Sequence, residues 1–298
     1  MLIMLIAALA LPAPAQARGQ QAPPAAAART APDSDQTVPA PKGARLRLNN
    51  NAGEIIVRGW DRAEVRVQAR HSSSTNVRVR STPAAISISA SASRGMPGGV
   101  DYEISVPRWM PVDLGGMGAY IQVDDLDADV RAETLHGDVV LRGVSGAIVA
   151  SSVQGEVSIE RARGRIEANA VTRGVTISDA TGDIVVESVS GGVRLSAIRS
   201  RNVDVSGISG GITFSGEFAA DGSYRFMSHS GGITIVTPSL DATLTVRGYS
   251  GGFVSAFPGE QVGTPRRGQA ATHVIGTGQA RVTLETFSGS VRIRRADK

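Results

Sequence analysis

Apolar residues return at every ninth position from Ile121 to Val193. Ile121, Val130, Val139, Ile148, Val157, Ile166, Val175, Ile184 and Val193 form this ladder, and Val203 and Ile212 resume it after one inserted residue. Each has a partner two residues on, from Val123, Ala132 and Leu141 to Val205 and Phe214. That spacing puts both side chains on one face of a short strand. Four residues before the ladder position stands a further apolar residue, as at Leu126, Leu135, Val153, Val171, Val189 and Ile208, which reads as an inward corner. Many units place a Gly two before the ladder residue, among them Gly137, Gly146, Gly155, Gly164, Gly182 and Gly191. A repeat this strict specifies stacked units, each covering the apolar face of the next.

The partner positions fix the length of one coil. Ala132, Ala150 and Ala168 alternate with Leu141, Ile159, Ile177 and Leu195. Small side chains opposite large ones fill the gap between two closely packed sheets. One coil is therefore two half-turns, about 18 residues, because nine at ~3.3 Å each enclose too little space. Tyr224/Phe226, Ile233/Ile235, Leu244/Val246 and Phe253 continue the ladder, and Val282/Leu284 and Val291/Ile293 end it. The fold class expected is all-β, with a β-solenoid over residues 116–298 and an inserted loop at 258–279. Its open end requires a cap against edge-to-edge pairing, and Arg292, Arg294, Arg295, Asp297 and Lys298 stand where one belongs.

Residues 42–115 show period two instead. Leu46/Leu48, Ile55/Val57, Val65/Val67, Val77/Val79, Ile86/Ile88 and Ile104/Val106 alternate with polar residues between turn signals, which predicts an antiparallel, sandwich-like region capping the other end. Residues 18–41 are rich in Pro, Ala and Gln and read as a disordered linker. Met1 to Ala17 read as a signal peptide. Leu2–Leu11 is too short to span a bilayer, and Ala13-Pro14-Ala15 and Ala15-Gln16-Ala17 offer small-residue cleavage patterns, although no Lys or Arg precedes Arg18. The expected location is the periplasm or the cell surface, with no transmembrane segment in the mature chain.

Composition narrows the function classes. Aromatics are 4% and Gly numbers 35, which suits tight repeated turns around an aliphatic core. Cys is absent, which removes disulfides and thiolate metal sites. The net charge of +4 is carried by Arg interspersed with acids, which gives no support to nucleic-acid binding.

The phrases Thr134-Leu-His-Gly-Asp-Val-Val-Leu, Ser188-Val-Ser-Gly-Gly-Val-Arg-Leu, Ser209-Gly-Gly-Ile-Thr-Phe and Ser230-Gly-Gly-Ile-Thr-Ile resemble a bacterial family of unknown function, domain-of-unknown-function family 4097, which carries an adhesin label. So do Asn50-Asn-Ala-Gly-Glu-Ile-Ile-Val-Arg-Gly-Trp-Asp-Arg and Glu103-Ile-Ser-Val-Pro. The resemblance runs from Arg45 to Ile293. It implies a β-strand-repeat solenoid in exported or membrane-tethered envelope proteins, and it brings no catalytic residues with it. The adhesin label is a fold-level association.

Candidate chemistry is sparse. Asp125, Asp127 and Asp129 have the spacing of a calcium loop but lack its Gly and its bidentate Glu, since Val130 and His136 stand there. The four His are scattered, and His229 falls in the corner column with Val189, Ile208, Tyr249 and Phe287. No nucleophile elbow is present. Trp60 and Trp109 both lie in the N-terminal region, away from the solenoid faces where sugar-stacking rings would serve. Glu160, Glu187 and Asp204 point outward on different half-turns. Ser178, Ser196 and Ser215 recur on successive coils and form the candidate binding face. No cofactor and no metal site is expected. The function expected is a non-catalytic envelope protein, an adhesin or scaffold whose partner is an envelope protein or a surface polymer. An envelope-stress sensor is the alternative, and a polysaccharide-processing enzyme ranks behind both.

Overall fold

A computed structural model describes residues 32–248, 250–262 and 270–296. The expected signal peptide, most of the expected linker, Tyr249, Asp297 and Lys298 lie outside the described residues. Within them every regular element is a strand. First come β1 (Ser34–Pro39), β2 (Arg45–Trp60), β3 (Glu64–Arg70), β4 (Thr75–Ser81), β5 (Ala85–Ala92) and β6 (Asp101–Pro107). The middle holds β7 (Val112–Leu126), β8 (Val130–Thr134), β9 (Val139–Ser152), β10 (Val157–Ala170), β11 (Gly174–Ser188), β12 (Gly192–Gly207) and β13 (Ile212–Gly216). The last are β14 (Ser223–Ser228), β15 (Ile233–Thr237), β16 (Ala242–Gly248), β17 (Phe253–Ser255), β18 (Glu260–Val262), β19 (Ala271–Ile275), β20 (Ala280–Thr286) and β21 (Val291–Arg295).

The middle is a parallel stack with an offset of eighteen residues. Val157 lies beside Val175, and Ile166 beside Ile184; Val139 lies beside Val157 in turn. Each coil rises by one inter-strand spacing, ~4.8 Å. The ladder residues and their partners are buried throughout, with Ala132, Ala150 and Ala168 in one sheet and Leu141, Ile159, Ile177 and Leu195 in the other. Each buried aliphatic side chain contributes roughly 1.5–3 kcal/mol before ordering entropy is counted. Stability therefore accumulates coil by coil.

The two corners of a coil are built differently. One turns on a residue with positive φ: Asp125, Gly143, Arg161, Asp179 and Ala197 repeat this at one place per coil. The next residue then points inward, and Leu126, Val144, Ala162, Ala180 and Ile198 are buried. The other corner turns its apolar residue outward and in several coils is anchored by a buried hydroxyl, as at Thr134, Ser152 and Ser188.

Both ends of the stack depart from simple winding. β2 pairs in parallel with β7 along its length, Leu46 beside Val112 and Ile55 beside Ile121. On its other side it pairs in parallel with β5 and β6. The chain thus lays its second coil outside its first and then returns to stack the third on the inner side. The C-terminal end repeats the device. β20 sits between β14 and β16, and β21 between β15 and β17.

Antiparallel strands close the ends, as sheet edges require. β3 pairs with β6, β4 with β5, and β1 with β3. The expected antiparallel region is confined to these strands, and β2 belongs to the parallel stack. Its pairs Leu46/Leu48 and Ile55/Val57 already stand nine residues apart, so the solenoid begins at β2 and not at residue 116. Residues 34–39, read as linker, form β1, because Val38 and Gln36 alternate over β3 with Val38 beside Val65. The expected loop 258–279 contains β18 and β19, which pair antiparallel with each other, and β19 pairs antiparallel with β16.

Candidate functional site

In several coils the outward corner carries the phrase hydroxyl, apolar, polar, Gly. In Ser152-Val153-Gln154-Gly155, Ser152 is buried, and its hydroxyl donates to Gly137 O at 2.7 Å and accepts from Gly155 N at 2.8 Å. Thr134 donates to Ala119 O at 2.9 Å, and Ser228 accepts from Gly231 N at 2.9 Å. Ser188 donates to Gly191 O at 2.6 Å, and Thr286 to Gly231 O at 3.2 Å. Each bond satisfies a backbone group that the turn would otherwise leave without a partner. The Gly has its own constraint, since a Cβ at Gly155 would run into the carbonyl oxygen of Gly137, and one at Gly210 into that of Gly191.

At Thr134, Ser152 and Ser188 the hydroxyl is held inside and the following residue points out, while Gly116, Ala170 and Gly207 hold the same place before Met117, Val171 and Ile208. Met117, Leu135, Val153, Val171, Val189 and Ile208 are exposed by 38–54% and stand one coil apart in a column. The backbone ties successive coils along it, as Gln154 N donates to Leu135 O, Thr172 N to Val153 O and Ser190 N to Val171 O. The sequence reading of these positions as inward corners is therefore corrected for Leu135, Val153, Val171, Val189 and Ile208. Beside the ridge runs a groove of about 320 Å³ lined by Ser151, Asn169, Glu187 and Ser206 together with Val153, Val171, Val189 and Ile208. It continues past Met227, His229, Glu285 and Phe287. His229 occupies the corner column, as its position predicts, and stacks on Phe287 with centroids 4.9 Å apart. Phe287 is half exposed, an outward ring that the ladder pattern did not predict.

The serine column is present in part. Ser178 lies beside Ser196, with Glu160 next in the same row. Leu195 pairs with Phe214 before the register shifts, and Ser215 lies beside Val236. All three serines are half-buried. The column is thus short, flat and bounded by Glu160 and Val236.

The remaining candidates have structural uses. Asp127 accepts from the Ser145 hydroxyl at 2.8 Å, and Asp129 from Ala147 N at 2.9 Å, each tying its coil to the next. His71 bonds the Ser34 hydroxyl at 2.7 Å, His136 bonds Met117 O at 3.0 Å, and His273 lies against Phe253. Trp60 donates to Glu64 O at 2.8 Å beneath the Arg62 guanidinium, and Trp109 is 39% exposed. Among the described residues, no three His, Cys, Asp or Glu side chains gather as metal ligands. Glu187 and Asp204 share one sheet, since Val185 is the register partner of Asp204, whereas Glu160 lies on the other sheet beside Arg161 at 2.7 Å. They do not converge. A second surface hollow, about 470 Å³, lies at the positive-φ corner among Asp127, Ser145, Arg161, Arg163, Asp179 and Arg199. Arg199 and Asp179 pair there at 2.8 Å.

A family profile matches residues 44–294, described as Toastrack DUF4097. The chain belongs to the Toastrack DUF4097 family. The Toastrack match starts at the strand that opens the parallel stack and ends in the last one, so it spans the interleaved ends as well as the regular coils. One solved structure, a candidate cell adhesion protein from Clostridium sporogenes, is similar over 88% of this chain and 99% of that chain, at 10% identity and a TM-score of 0.21. That likeness is too weak to assign fold or function. Among curated proteins none matches. No helix among the described residues is long and apolar enough to cross a membrane.

Proposed function

We propose that this Toastrack protein is a non-catalytic exported envelope protein, an adhesin or scaffold that holds a protein partner along the outward corner of its solenoid. One observation carries the reading: the apolar ridge from Met117 to Ile208, continued by His229 and Phe287, with a groove beside it. A row of single apolar residues at a fixed ~4.8 Å pitch suits a partner with its own apolar stripe. The flanks are mostly small, chiefly Ser, Gly and Asn, with Glu187 and Glu285 as the carboxylates lining the groove, so close approach meets little desolvation cost along most of the ridge. A surface polymer fits this ridge less well, because it offers few hydrogen-bonding groups.

The test is cross-linked pull-down from envelope extracts of the source bacterium with three proteins: wild type, Val153→Lys/Val171→Lys/Val189→Lys, and Ser178→Arg/Ser196→Arg/Ser215→Arg. Loss of a reproducible partner only in the valine variant supports the ridge. Loss only in the serine variant moves recognition to the flat face. Turnover of an envelope polysaccharide that Glu187→Gln abolishes would overturn the non-catalytic reading. A partner that is itself a signalling protein would favour the envelope-stress sensor instead.

A further inference from the structure

We propose that the N-terminal end of the stack carries a second interaction surface, a flat arginine–serine face that docks on anionic phospholipid. The face is the outer side of β2, β5 and β4. Arg47 lies beside Ser87, and Ser87 in turn beside Arg80. Two residues along, Arg78 lies beside Ser89, and Arg45 is the neighbour of Ala85. Arg45, Arg47, Arg78, Arg80, Ser87 and Ser89 are all exposed, while Leu46, Leu48, Val77, Ile86 and Ile88 between them are buried. Strand alternation thus sends four guanidinium groups to one side within three adjacent strands.

Arginines without an ion pair among the described residues occur elsewhere too, as at Arg163, Arg194 and Arg225, and this face is distinguished by holding four within three adjacent strands. Arg58, Arg66, Arg108, Arg131, Arg142 and Arg199 each face a carboxylate. None of the four on this face has an ion pair among the described residues. The acid nearest in register is Asp113, half-buried beside Arg47. The arginine pairs of β2 and β4 flank the serines of β5 at about two strand spacings, ~10 Å, a separation that an anion seated over β5 can bridge. Guanidinium groups bind phosphate through two parallel N–H donors, and the serine hydroxyls between them add donors. The face has no exposed large apolar side chain, which favours adsorption on a headgroup layer over insertion into it.

Position favours a membrane over a soluble polyanion. β1, where the described chain begins, packs at this same end, and Gln36 reaches Val77 O of β4 at 3.3 Å. The apolar stretch Leu2–Leu11, read as a removable signal, lies upstream of β1 in the chain, so this end of the stack is the one delivered nearest the membrane.

The experiment is co-sedimentation of the full chain with vesicles of phosphatidylcholine alone and with vesicles containing phosphatidylglycerol. Wild type is compared with Arg45→Ser/Arg47→Ser/Arg78→Ser/Arg80→Ser and with Arg194→Ser/Arg225→Ser/Arg292→Ser/Arg294→Ser, which removes equal charge elsewhere. The N-terminal segment is common to all three, so the preference for anionic over neutral vesicles isolates the charge contribution. Wild type and the second variant are expected to prefer anionic vesicles at least tenfold, with a preference that falls as salt rises. The first variant should lose that preference while keeping its melting temperature. Equal loss in both variants would mean net charge alone and would overturn the proposal. So would the absence of any preference in wild type, or dependence on the four arginines for heparin binding but not for vesicles.

Discussion

His229 and Phe287 stack face to face, their ring planes 4° apart and their centroids 4.9 Å apart, although the coils that carry them are not consecutive in the chain. The stack is a consequence of interleaving. Ser288 N donates to His229 O at 2.9 Å, and Ser250 N to Phe287 O at 3.0 Å, so the last coil of the chain is an inner coil of the solenoid. At the other end β2 is likewise enclosed by β5, β6 and β7. A simple repeat stack frays from its ends inward. Here each terminal coil is held from both sides.

Truncation after Gln279 should therefore do more than remove an end. β14 and β15 would lose one parallel neighbour, and β16 and β17 would lose theirs. Amide hydrogen exchange is expected to show protection falling by tenfold or more across 223–237 and 242–255, with 130–188 unchanged. If only 242–255 lost protection, β20 and β21 would contribute nothing to the coil beneath them.

The glycine column gives a sharper test. A methyl group at residue 155 meets the carbonyl oxygen of Gly137 on the neighbouring coil, whereas one at Gly98 meets nothing within 4 Å. Gly155→Ala should cost about 1–3 kcal/mol or more by overpacking, and Gly98→Ala should stay within about 0.5 kcal/mol of wild type. Urea denaturation of the two variants measures the difference. Equal midpoints would show that the coils separate locally without penalty.

Most of this fold was legible in the sequence, because a nine-residue ladder admits few other arrangements. Its limits fall at particular residues. Leu135, Val153, Val171, Val189 and Ile208 share a ladder offset with Leu126 yet point the opposite way. The sign was present in the residue before three of them, whereas Val171 follows Ala170 and Ile208 follows Gly207. Thr134, Ser152 and Ser188 stand one and then two coils apart and are buried, whereas Asp125, Arg161 and Asp179 hold that place at the other corner with positive φ. A buried hydroxyl and a left-handed residue turn the chain in different ways, and periodicity alone does not distinguish them. The interleaved ends depend on which coil a strand docks beside, a long-range choice that no local pattern encodes. The arginine face depends on that same choice, since only the β2–β5 pairing brings Arg47 and Arg80 onto one surface.

Ser152→Ala tests the hydroxyl anchor. It strips Gly137 O and the buried Gly155 N of one partner each, and a buried group left without a bond costs about 1–3 kcal/mol. Ser151→Ala, whose side chain lies on the groove side, should move stability by less than about 0.5 kcal/mol. A loss in the first and none in the second, read from thermal melts, supports the anchor; equal effects would refute it.

Tyr102 offers a test that depends on pH. Its ring is buried beside Ile55, and its hydroxyl has no hydrogen-bond partner among the described residues. Burial pushes its pKa up to about 12, from an ordinary value of 10.0. The folded state therefore keeps the proton while the unfolded state gives it up. The neutral phenol's contribution is whole below pH 10 and is lost as pH rises from there through 12. Tyr102→Phe removes both the unpartnered hydroxyl and this titration. At neutral pH the variant should be more stable by about 1 kcal/mol. Its advantage should widen as pH climbs above 10, by up to about 1.4 kcal/mol per pH unit. Tyr120 and Tyr224, also raised chiefly by burial, remain in both proteins and leave the difference intact. Urea midpoints for the pair on either side of pH 10 measure the effect. A phenylalanine variant less stable than wild type at neutral pH would mean that the Tyr102 hydroxyl is bonded in the folded protein.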